Sequence, residues 1–133
     1  MSATPQLAPS AQKLILVVDD TPLNIGVISG ALKDSYKTKI ATNGEKALAL
    51  ASAEEKPDLI LLDIMMPGMD GYATMTVIRQ MPQFATLPII AVTARAMPSD
   101  RQKSLAAGAS DYVTKPVDTD ELLNCMERWL AGS

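Results

Sequence analysis

The chain has 133 residues, of which 47% are hydrophobic and 20% charged, and its formal net charge is −3. That is enough chain for one domain with a core of its own, needing no disulfide or metal staple. The acidic balance argues against nucleic acid as a direct partner, because phosphate backbones reward basic patches.

Histidine is absent, which removes every His-dependent triad and every His-ligated zinc site. The chain therefore cannot carry a phosphohistidine of its own. The single cysteine, Cys125, makes no intrachain disulfide and fits a reducing compartment. It lies in a helical pattern and reads as a small core hydrophobe. No apolar run reaches the roughly 18 residues of a membrane span, and the N-terminus lacks the basic start and apolar centre of a secretory signal. No membrane partner and a cytoplasmic location are expected. The Ala-, Pro-, Ser- and Thr-containing residues 1–12 read as a flexible leader, leaving a folded unit over 13–131.

In chain order, LILVV at Leu14–Val18 is the first strand and runs into Asp19-Asp20. Thr21 is a good N-cap and Pro22 suits the first position of helix one. Its expected buried stripe is Leu23, Val27, Ile28, Ala31 and Leu32. Strand two alternates over Lys37–Ala41. Helix two follows Asn43-Gly44, with Ala47, Leu48 and Ala51 inward. Strand three, Leu59–Leu62, ends at Asp63. The loop IMMPGMDG follows, and Asp70-Gly71 in it is an ordinary turn signal. The loop methionines Met65, Met66 and Met69 read as packing groups, since hard cations prefer oxygen to sulfur.

Helix three is expected over Tyr72–Gln80 and strand four over Ile89–Thr93. Helix four spans Pro98–Ala107 and stops at Gly108, a natural C-cap. It offers Leu105 alone as a bulky apolar residue after Met97, so few buried contacts hold it. Strand five, Asp111–Thr114, runs into Lys115-Pro116. Helix five starts with Asp118 and Glu121 in capping-box spacing and presents Leu122, Leu123, Met126, Trp129 and Leu130.

Strict strand–helix alternation implies a parallel sheet covered on both faces, an α/β fold. Strands one, three and four are continuous apolar runs, which places them centrally, with two and five at the edges. The doubly wound five-stranded order 2-1-3-4-5, flavodoxin-like, satisfies this. Its switch point lies between strands one and three, where ligands bind at the carboxyl ends. Those ends carry Asp19, Asp20 and Asp63. Two carboxylates about 5 Å apart repel by roughly 3 kcal/mol at an effective dielectric near 20, so gathering three calls for a cation or a function. Magnesium suits such a place. Helix capping explains neither Asp19 nor Asp20, since Thr21-Pro22 already opens the helix, nor Asp63, since no helix follows at once. Thr93 and Lys115 gain weight from standing at strand ends beside these acids. Carboxylates, a divalent cation and a lysine together are the equipment of phosphoryl transfer.

The motifs VVDD, LLDIMMPGMDGY, VTARA and GASDYVTKPV, in that order and spacing, make the chain resemble the receiver domain of two-component response regulators. The resemblance covers about Lys13 to Leu130. It implies that Asp63 accepts a phosphoryl group from a histidine kinase or histidine phosphotransfer protein. It implies that Asp20 binds Mg2+ directly, that Asp19 helps through water, and that Met65 offers its backbone carbonyl. Thr93 would bond one phosphoryl oxygen and Lys115 another, with Pro116 following in a cis peptide. Tyr112 would turn inward as Thr93 moves, and small Ala94 would leave the phosphate reachable. Signalling would run through helix four, strand five and helix five, a face that also suits a homodimer.

Two rivals stand beside this reading. A magnesium-dependent phosphatase forming an aspartyl phosphate usually carries its nucleophile after the first strand and has a cap; here the isolated Asp follows strand three. A binding module without chemistry fits poorly with the complete set of acids, Thr and Lys. The residues after Pro116 suffice for helix five, so a stand-alone receiver and a piece of a larger regulator both remain open.

Overall fold

Leu14–Val18 (β1) is buried along its whole length, and its alternating side chains feed two separate cores. Leu16 and Val18 face one side of the sheet, and Ile15 and Val17 the other. This is the period-two geometry of a strand covered on both faces. The computed structural model describes residues 13–51, 56–64, 71–94 and 98–131. In chain order, β1 is followed by α1 (Pro22–Leu32), β2 (Lys37–Ala41), α2 (Gly44–Ala51), β3 (Leu59–Asp63), α3 (Gly71–Gln80), a 3-10 turn at Pro82–Phe84, β4 (Ile89–Thr93), α4 (Pro98–Ala107), β5 (Asp111–Thr114) and α5 (Thr119–Ala131). All neighbouring strands pair in parallel, in the order β2-β1-β3-β4-β5. The fold is the doubly wound, flavodoxin-like arrangement expected from the alternation of elements. The expected leader, residues 1–12, lies outside the described residues.

One core joins Leu16, Ile60, Leu62 and Ile89 to Ala47 and Ala51 of α2 and to Met75 and Ile78 of α3. The opposite core joins Ile15, Val17, Leu61 and Val92 to Ile28 and Leu32 of α1 and to Leu122 and Met126 of α5. Cys125 is buried in that second core, as its sequence context suggested.

The expected stripe of α1 is half wrong. Ile28 and Leu32 are buried, but Leu23 is 75% and Val27 41% exposed. Apolar residues surround this helix on most sides, so periodicity cannot choose the inward face; the sheet and the adjoining α5 choose it. Thr21 holds the N-cap position without a side-chain cap. Asp118 does cap α5, accepting the Glu121 N–H at 3.1 Å. Trp129, expected on the apolar face of α5, is among the exposed hydrophobics. Its ring N–H donates to Asp111 Oδ2 of β5 at 3.1 Å.

α4 sits differently from the other helices. Among its described side chains the fully buried one is Ser104, whose hydroxyl lacks a hydrogen-bond partner, while Leu105 faces solvent. Its C-terminal end is fastened by Arg79, which donates to Gly108 O at 2.9 Å, Phe84 O at 2.9 Å and Ser110 Oγ at 3.1 Å. Gly108 has φ of 120°, the left-handed geometry expected of a C-cap glycine. Lys103 stands 4.8 Å from the ring centre of Tyr72 on α3, and Arg101 5.4 Å from that of Tyr112 on β5. Polar and cation–π contacts thus supply much of what apolar burial supplies elsewhere.

Candidate functional site: an acidic pocket at the strand ends

Parallel pairing brings the carboxyl ends of β1, β3, β4 and β5 to one edge of the sheet. Asp19 continues the ladder beyond β1 by donating its N–H to Ala41 O at 3.0 Å. Its Oδ1 accepts the Thr21 N–H at 2.9 Å, which fixes the carboxylate as the chain turns into α1. The Thr21 hydroxyl leans toward Asp20 Oδ1 at 3.4 Å. Asp63 is the last residue of β3 and lies in register with Val92, so the strand runs one residue further than its apolar run indicated. Thr93 ends β4 in register with Thr114. The Lys115 N–H donates to Thr93 O at 2.8 Å, tying the end of β5 to that of β4. The Lys115–Pro116 peptide is cis, as the sequence suggested.

These placements assemble a charged cluster. Asp19, Asp20 and Asp63 each offer a carboxylate oxygen, all within 4.8 Å of one another. Asp19 and Asp63 are 1% and 2% exposed, whereas Asp20 opens to solvent. Lys115 Nζ donates to Asp63 Oδ2 at 2.9 Å and lies 4.0 Å from Asp19 Oδ2, with 19% of its side chain exposed. Burial is the largest influence on Asp19 and raises its pKa; the Asp63 charge adds to the rise, against the pull of the Thr21 N–H and Lys115. Among the described residues its buried Oδ2 has no hydrogen-bond donor, and its nearest cation is Lys115 at 4.0 Å. Such an atom is costly to leave unmatched and is a natural ligand for a hard cation.

Of the other expected site residues, Tyr112 is half-buried on β5, two positions before its end, with Ala91 as its register partner. Ala94 follows Thr93 and is exposed. Met65 lies outside the described residues, as do Met66, Met69, Met97 and Asp70. Sequence reasoning missed Thr21 as a brace for both β1 acids, because its N-cap signal accounted for it fully. It also missed the cations of α4 over Tyr72 and Tyr112, which carry no sequence signal.

The comparisons agree with this geometry. Residues 15–127 match the response regulator receiver domain family. The chain belongs to that family of signalling phosphoacceptor domains. Over 121 residues it is 40% identical to the signal transduction histidine-protein kinase BarA of Escherichia coli K12, covering 90% of this chain but 13% of that protein. The chain thus spans a small part of this kinase's length. Protein PilH of Pseudomonas aeruginosa is 37% identical over 119 residues, covering 89% of this chain and 98% of PilH. The receiver domain of the sensor histidine kinase PA1611 from the same species superposes with a TM-score of 0.83 at 37% identity, covering 92% of this chain and 100% of that one; it holds a magnesium ion in its active-site cleft. Receiver domains interact with histidine kinases. No helix among the described residues is long and apolar enough to cross a membrane.

Proposed function

We propose that residues 13–131 form a receiver unit in which Asp63 accepts a phosphoryl group from a phosphohistidine on a partner kinase or phosphotransfer protein. The observation that carries this reading is the buried Asp63 carboxylate, held by Lys115 at 2.9 Å and clustered with the carboxylates of Asp19 and Asp20. An Asp63 oxygen attacks phosphorus, forming an O–P bond. The N–P bond of the donor breaks, and its imidazole leaves with the electron pair. Lys115 holds one oxygen of the transferring group and balances its charge. The Thr93 hydroxyl, at the neighbouring strand end, receives another. Ala94 leaves the approach open, and Tyr112 follows Thr93 as the group is bound.

Asp19, Asp20 and Asp63, together with the Met65 carbonyl, would hold Mg2+, whose chemistry is to neutralise charge on the phosphoryl oxygens. Asp20 would hold the ion directly and Asp19 would help through water. The phosphorylated state shifts α4, β5 and α5, and that face serves a homodimer or a downstream partner. The working location is the reducing cytoplasm.

The test is labelling with acetyl phosphate, followed by intact-mass measurement. Incorporation of one phosphoryl group that requires magnesium, is prevented by a chelator and is stripped by hydroxylamine supports the reading. A label that survives hydroxylamine, or forms equally well without a divalent cation, contradicts it.

A further inference from the structure

We propose that Gly71 is a positioning residue for phosphoryl transfer, keeping the Asp63 carboxylate in line by letting α3 seat directly on the backbone of Ile64. The inference rests on the reading of Asp63 as phosphoacceptor. A methyl group on Gly71 would lie 2.7 Å from Ile64 Cα and 3.0 Å from Ile64 O. Ordinary carbon–carbon contact begins near 3.5 Å, so about 0.8 Å would have to be found. The obstructing atoms are backbone, and no rotamer change can clear them.

The strain has two places to go. α3 is fixed on the sheet by Thr74, Met75 and Ile78, all buried. Ile64 has just left β3 and is held there by its N–H donation to Val92 O at 3.0 Å. Whatever part of the strain Ile64 takes up is passed along the chain to the residue before it. That residue, one peptide and about 3.8 Å away, is Asp63. A shift of several tenths of an ångström moves the Asp63 carboxylate relative to Lys115 Nζ, now at 2.9 Å. In-line transfer is sensitive at this scale, since a displacement of about 1 Å can cost about a hundredfold in rate. Asp70-Gly71 reads in sequence as a turn signal. The contact gives the glycine a second task, which any side chain would spoil.

The experiment compares acetyl phosphate labelling of the wild type, Gly71→Ala, Gly30→Ala and Ile28→Val at saturating magnesium and over a range of donor concentrations. Gly30 is a control because a methyl there meets nothing within 4 Å. Ile28→Val is a second control, a core truncation in α1 on the opposite face of the sheet from α3. Gly71→Ala is expected to slow labelling at saturating donor at least tenfold while the half-saturating donor concentration stays within about twofold. Both controls should label at the wild-type rate. A folded Gly71→Ala that labels at the wild-type rate overturns the inference and leaves the assignment of Asp63 standing. If Gly71→Ala does not melt cooperatively, it is placed in a Gly26→Ala/Gly30→Ala background, where both added methyls are unobstructed. Failure to fold there also overturns the inference, since the glycine is then required for folding instead of position. A wild type that takes no label at Asp63 removes the underlying reading and the inference with it.

Discussion

Lys115→Ala removes the cation that makes two buried carboxylates tolerable. In the native protein its ammonium lies 2.9 Å from Asp63 and 4.0 Å from Asp19, whose carboxylate oxygens are within 4.8 Å of each other. At an effective dielectric near 20, each attraction is worth about 4–6 kcal/mol and the opposing repulsion about 3 kcal/mol. Desolvation and partial solvent access of the lysine take back much of that. Breaking a buried pair from one side costs about 3–5 kcal/mol, and the lower end is expected here. For a domain of this size, about 3 kcal/mol lowers Tm by roughly 10 °C.

The pH dependence follows from Asp19, whose folded pKa is raised above 3.8 by burial first and by the Asp63 charge. The folded state then binds the proton more tightly than the unfolded state, so the Asp19 contribution to stability falls as pH rises through that window. Without Lys115 the rise is larger, and acidification recovers part of the lost stability. Magnesium, which binds only the folded cluster, recovers it too. Urea unfolding of both proteins, with chelator or with 10 mM magnesium at about pH 5 and 7.5, measures every part of this. A Lys115→Ala protein as stable as wild type at pH 7.5 in chelator, and no more responsive to magnesium, would refute the reasoning.

Other substitutions probe the rest of the structure. Asp111 accepts from the Trp129 ring N–H at 3.1 Å and the Cys125 thiol at 3.3 Å, and pairs with Arg128 at 3.6 Å. Asp111→Ala should cost about 1–3 kcal/mol and alter Trp129 fluorescence, which unchanged unfolding and emission would contradict. The Asp111 pKa is lowered, because its hydrogen bonds, that of Trp129 foremost, and Arg128 outweigh the upward effect of burial. Its stabilisation is therefore present above the unfolded value of 3.8 and lost as pH falls through the lower folded one. The Cys125 thiol is pushed up to about 11, by burial first and then by Asp111. Iodoacetamide at pH 8 should modify it slowly in the native protein and fast in urea, and equal rates would exclude the buried thiol. Ser104→Ala removes a fully buried hydroxyl without a partner and should stabilise by about 1 kcal/mol, read as a higher urea midpoint.

The three central strands were legible because strands buried on both faces are written as apolar runs ended by polar residues, and the mixed edge strands β2 and β5 were legible from their place in the strand–helix alternation. The one shift, Asp63 joining β3, arises because a carboxylate can finish a ladder when lysine and fellow acids surround it. The acids and Lys115 were legible as strand-end residues, although Asp63 and Lys115 are 52 positions apart, because parallel topology sends every strand end to one edge. What stayed hidden needed distances. The apolar character of α1 on most sides concealed that Ile28, and not Leu23, faces the sheet. Trp129 looked like core because its partner Asp111 stands on another element, 18 positions away. Gly71 looked like a turn residue because its close approach to Ile64 exists only after α3 packs.

The central claim is that one carboxylate, Asp63, carries the phosphoryl group. Treating the acetyl phosphate-labelled protein with borohydride reduces an acyl phosphate to a homoserine, which peptide mass mapping then locates. The expected result is a single homoserine at position 63, dependent on magnesium and absent from Asp63→Asn. A homoserine at position 19 or 20, or phosphate retained on a serine or threonine, would contradict the assignment.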